Sequence, residues 1–128
     1  MTDRERREQC LRKANECVNG DRDEAYGNAE NNFNHIAEMW TAYLKDRLCA
    51  DIDALDVSNM MIMLKMSRIA ANGFHLDSYI DIAGYAACAY GIAQQQNEDV
   101  ESAFAGANFE QALKSAFEGA KITLREEA

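Results

Sequence analysis

Residues 76–93 read LDSYIDIAGYAACAYGIA. Apolar and small residues fill nearly every position, with neither proline nor strand-like alternation, so the segment predicts a helix that is apolar or small on almost all sides. Two aspartates, Asp77 and Asp81, stand one turn apart within it. Burying an isolated carboxylate is costly, so these charges must pair, bind a metal or face a cleft.

The preceding segment, VSNMMIMLKMSRIAAN at 57–72, has the same character with the opposite sign of charge. It predicts a helix capped by Asp56 or Ser58 and stopped at Asn72-Gly73. Lys65 and Arg68 lie one turn apart inside its apolar run. One reading of the four charges is therefore a structural network, Lys65 and Arg68 with Asp77 and Asp81. Asp77 also suits the first turn of its helix, where an acid opposes the macrodipole. Asp81 stands a turn deeper and calls for a cation, and two acids at this spacing can share a divalent ion.

Further upstream, Phe33, Ile36, Ala37, Trp40, Tyr43 and Leu44 recur at helical spacing over about 29–48. Glu30, Asn34 and Glu38 follow one edge of that stripe, as further oxygen ligands or as a solvated border. A first helix over about Asp3 to Val18 carries Cys10, Leu11, Ala14, Cys17 and Val18 on one stripe and ends at Asn19-Gly20. Both cysteines are expected there as small core residues. Beyond QQQNED, the segment NFEQALKSAFEGAKITL at 108–124 predicts a last helix. The expected fold is thus all-α, a compact bundle of five to six helices forming a single domain over 1–128.

Composition agrees with that class. The chain has 128 residues, no proline and a net charge of −9. That charge disfavours binding to nucleic acid or anionic membrane, because phosphate neutralisation needs clustered Lys and Arg. The early basic residues are interleaved with acids, which predicts a solvated helix face rather than a basic arm. Four cysteines without a Cys-x-x-Cys pair argue against structural zinc. Without a leader or a bilayer-length apolar run, the expectation is a cytoplasmic protein with reduced thiols. Two helices that are apolar on most sides exceed what one small domain can cover, so a homo-oligomer, a dimer or higher, is expected.

The ordered series VNGDRDEAYGNAENNFNHIAEMWTAYL, DVSNMMIMLKMSRIA and HLDSYIDIAGYAACA resembles a group of small phage and prophage proteins of unassigned function. The likeness covers about residues 17–93 and leaves a C-terminal extension from about 97. More remotely, it is similar to the MazG-like all-α nucleoside triphosphate pyrophosphohydrolases, which hold magnesium between a Glu-x-x-Glu helix and a Glu-x-x-Asp helix. That resemblance implies a bacterial host cytoplasm and Mg2+, or Mn2+, as cofactor. It places Asp77 and Asp81 as the second acidic motif and Glu30 or Glu38 as the first. The implied catalytic set is Glu38, Asp77, Asp81 and Lys65, and the implied metal set is Glu30, Glu38, Asp77 and Asp81. Arg22, Tyr26, Asn34, Lys65 and Arg68 would bind the nucleotide, Arg22 on a phosphate and Tyr26 or Trp40 on the base.

The sequence departs from the enzyme pattern in two places. The second helix has no Glu-x-x-Glu, and the fourth has Asp-x-x-x-Asp. Two other classes therefore stand beside a magnesium-dependent hydrolase: a non-catalytic nucleotide binder that acts as a nucleotide-signal sponge, and a helical interaction protein whose charges are structural.

Overall fold

The structure, a computed structural model, describes residues 1–20, 29–106, 113–114 and 116–118. Among the described residues there are no strands. The helices are α1 (Asp3–Asn19), α2 (Ala29–Leu44), α3 (Ala54–Asn72) and α4 (Leu76–Gly106), with a 3-10 turn at Lys45–Arg47. The all-α expectation holds.

Several helix ends have a local cause. At the start of α1 the Glu5 amide donates to Thr2 Oγ1 and the Thr2 amide donates back to Glu5 Oε2, a reciprocal cap. Gly20 closes the helix by donating its N–H to the Glu16 carbonyl. α2 stops where Lys45 takes φ 40°, the left-handed conformation that commonly terminates a helix, so it ends short of the expected residue 48. α3 ends at Gly73, whose φ of 79° suits a residue without Cβ.

The start of α3 corrects the sequence reading. Asp53, rather than Asp56 or Ser58, is the N-cap: its Oδ1 accepts from the Asp56 amide, and Asp56 Oδ2 accepts from the Asp53 amide. Ser58 is instead fully buried. Asp53→Ala is expected to cost about 1 kcal/mol, the usual worth of such a cap. A urea midpoint lowered at unchanged slope is the matching measurement.

α4 differs most from expectation, because it continues through QQQNED to Gly106. No proline or glycine interrupts residues 93–105, and two side-chain bonds one turn apart, Gln95 to Asp99 and Asn97 to Glu101, both 3.1 Å, line this stretch. Leu113, Lys114 and residues 116–118 are helical. The rest of the expected last helix lies outside the described residues.

By its contacts the chain forms two units, Met1–Ile92 and Ala93–Ala128. The first holds the core: Phe33 and Ala37 of α2, Ala54 and Val57 of α3, and Cys88 and Ile92 of α4. Val18, Ile36, Trp40, Ile52 and Tyr85 pack around these. Gly84 of α4 serves close approach to α1, since a Cβ there would stand 3.1 Å from Val18 Cγ1. Elsewhere α1 contributes little. Ala14 is its buried residue, while Leu11 is 64% exposed and Cys17 is exposed, contrary to the expected core stripe. The polar composition of α1 leaves too few apolar side chains to bury a full face. Tyr43, likewise expected inside, is 85% exposed on the last turn of α2.

Candidate functional site

α3 and α4 form an antiparallel hairpin joined through 73–75. Ser58 Oγ donates to the Tyr85 carbonyl at 2.7 Å near the base of the hairpin. Lys65 Nζ meets Asp81 Oδ2 at 3.0 Å nearer the tip. The Lys65 side chain is 15% exposed and that of Asp81 39%. Lys65 is thus largely covered, and its ammonium lies against a carboxylate that keeps partial contact with water. The question posed by Asp81 has a direct answer: it neutralises a cation that α3 turns inward.

The expected four-charge network forms in part. Arg68 and Asp77 are both exposed and no ion pair joins them to each other or to the central pair. Asp77 occupies the first turn of α4, as expected.

The contribution of α2 follows from register. Glu30 is half-buried, with Oε1 3.8 Å from where a Cβ on Gly91 would lie. One turn on, Phe33 meets Tyr85 with ring centroids 6.0 Å apart. α2 therefore runs antiparallel to α4. Gly91 lies ~15 Å along α4 from Asp81 at the helical rise, so Glu30 is carried away from both aspartates. Glu38, ~12 Å beyond Glu30 along α2, is brought to the level of Asp81 but is exposed, as is Asn34 between them.

Among the described residues, no three or more His, Cys, Asp or Glu side chains are grouped so as to hold a metal ion. Glu30, Glu38, Asp77 and Asp81 are thus not gathered as one ligand set, and these residues do not fit the magnesium centre that the resemblance implies. The physical reason is twofold: the antiparallel register carries Glu30 away from Asp81, and Glu38, though level with Asp81, is exposed. Arg22 and Tyr26 lie outside the described residues. Trp40 is packed against the core rather than presented for stacking.

Two polar contacts escaped the sequence reading. Thr41 Oγ1 accepts from the Ile52 amide at 2.9 Å and ties the segment before α3 to α2. Ser58 joins α3 to the backbone of α4. A hydroxyl residue on the apolar stripe of its helix was the available signal for both.

These features define an all-helical domain, with no helix among the described residues long and apolar enough to cross a membrane, built on a hairpin that holds an interhelical ion pair. The chain belongs to the family DUF6378, a domain of unknown function, whose model matches residues 9–93. It is 36% identical over 91 residues to the Gene 55 protein of Mycobacterium phage D29, covering 71% of this chain and 58% of that protein. It is 43% identical over 76 residues to the Gene 55 protein of Mycobacterium phage L5, covering 59% of this chain and 47% of that protein. The chain spans about half the length of these curated relatives. No solved structure matches it. The expected likeness to small phage proteins is therefore met, and the family match ends beside the boundary of the first unit at Ile92.

Proposed function

We propose that the chain is a nucleotide-binding protein whose α3–α4 hairpin tip holds the phosphates of its ligand, in a homo-oligomeric unit. The observation that supports this reading is the position of Lys65: a side chain only 15% exposed whose Nζ is held 3.0 Å from a single carboxylate, that of Asp81. Arg68 stands one turn further along α3, exposed and outside any ion pair. A held ammonium beside an exposed guanidinium suits a phosphate chain, the first as a placed charge and the second as a bidentate fork. The remote MazG-like resemblance supports a nucleotide as the source of those phosphates.

Binding without turnover is preferred to hydrolysis, because the acids are spread rather than grouped. The register that brings Glu38 level with Asp81 favours hydrolysis as the second reading.

One experiment addresses both. Ribo- and deoxyribonucleoside triphosphates, with and without magnesium or manganese, are titrated calorimetrically while pyrophosphate release is followed. The expected result is micromolar affinity, about −8 kcal/mol, for a subset of the panel, with the ligand recovered unaltered. Arg68→Ala should weaken that affinity about tenfold while leaving the melting temperature unchanged, since the residue is exposed. Pyrophosphate release would replace the binder with the hydrolase. Silence across the whole panel would leave the helical interaction protein.

A further inference from the structure

α3 is apolar on two sides. Its inward side carries Ala54, Val57 and Met61 together with Lys65, whereas the opposite side presents Met60, Met63, Leu64, Ser67, Ala70 and Ala71 at the three- and four-residue spacing of a continuous stripe. Met60 is 37% exposed, Met63 61% and Leu64 42%, and the three small residues are exposed as well. Exposed Arg68, one turn from both Leu64 and Ala71, borders the stripe, and no carboxylate occurs between Met60 and Asn72. An ordinary surface helix is apolar inward and charged outward, so the second apolar stripe is the unusual feature.

We propose that this outer face of α3 is a two-fold interface with a second copy of the chain, the two α3 helices packed antiparallel. Three observations select that occupant. The large residues of the stripe, Met60, Met63 and Leu64, lie in the N-terminal part of the helix, and the small ones, Ser67, Ala70 and Ala71, in the C-terminal part. An antiparallel pair sets the large half of each copy against the small half of the other, the self-complementarity that an isologous contact requires. Charge gives the second observation. At −9 the chains repel one another, and this stripe is a surface on which two copies can meet without opposing carboxylates.

Area is the third observation. Phe74 and Leu76, each 72% exposed just beyond the end of α3, extend the same end of the helix towards the partner's Met60 in this pairing. With them the face carries five exposed large apolar side chains, the kind of surface from which a specific interface of ~800 Å² per partner is built. The inference deepens the homo-oligomeric part of the reading above and rests on it. It is independent of the nucleotide.

Sedimentation equilibrium on the full chain tests it. At about 10 μM the expected species is a dimer. Met63→Glu and Ala70→Arg, each placing a charge on the stripe, should each raise the dissociation constant about a hundredfold and leave a helical monomer by circular dichroism. Met39→Glu, at a side chain 61% exposed on α2, should leave the dimer intact. A wild-type monomer would remove both the oligomer and the face. A dimer indifferent to Met63→Glu and Ala70→Arg, or equally broken by Met39→Glu, would remove the face alone. Loss of helicity in both stripe variants would show that the stripe packs within its own chain, which also overturns the proposal.

Discussion

Phe33→Ala is expected to destabilise the unit formed by Met1–Ile92 by about 3–5 kcal/mol, the usual cost of deleting a core phenylalanine. Phe33 is 6% exposed, and the buried residues around it are Ala37, Ala54, Val57, Cys88 and Ile92. Removing the ring leaves a cavity within this cluster, and the Tyr85 ring loses its partner at 6.0 Å. A domain of this size has a total stability of about 5–15 kcal/mol, so the loss takes a large share of it. Urea unfolding followed by circular dichroism measures the change. A loss below about 1 kcal/mol would show that the core is centred elsewhere.

The second large effect is an asymmetry across the hairpin. Asp81→Asn should cost about 1–3 kcal/mol, less than a fully buried pair because the carboxylate is partly solvated. The loss leaves Lys65, at 15% exposure, without the charge that compensates it. Lys65→Met should cost at most about 1 kcal/mol, because the thioether chain keeps the packing of the lysine stem and the orphaned Asp81, at 39% exposure, can be hydrated. At roughly 4–8 °C per kcal/mol, the two variants should separate clearly in a thermal melt. Magnesium titration of the same proteins adds a second reading. If Asp81→Asn abolished a magnesium isotherm while the melt stayed unchanged, the residue would be a metal ligand and the ion pair incidental.

Much of the fold was legible in sequence because its determinants are local. Helix ends at Asn19-Gly20 and Asn72-Gly73 follow from backbone chemistry, and the pairing of Phe33 with Ala37 as core follows from spacing. The α3 start was misread because Asp53 and Asp56 both suit a cap, and only the reciprocal bond between them decides which residue stands outside the helix. QQQNED was read as a break on polarity alone, although glutamine, glutamate and asparagine continue a helix when their side chains bond one turn on.

The site was legible as a pairing of charges and not as a constellation. Lys65 with Asp81 could be anticipated from two ionised residues in apolar helices. The distance of Glu30 from Asp81 could not, because it depends on the direction in which α2 crosses α4, and helical periodicity is blind to direction. The same blindness hid the outer face of α3. Periodicity marks an apolar stripe without telling whether the chain itself or another molecule covers it, and α3, with apolar residues on both sides, satisfied any orientation.

The cysteines have a consequence of their own. Cys17 and Cys49 are exposed and Cys10 is partly so, while Cys88 is 7% exposed among the core residues. A thiol reagent in excess therefore modifies the accessible sulfurs promptly and reaches Cys88 only when the core opens. The slow phase of labelling is a clock for that opening. Read at increasing reagent concentration, it passes from reporting the population of the open state to reporting the rate at which the native helices part. The molecule thus carries its own stopwatch, wound by a single sulfur.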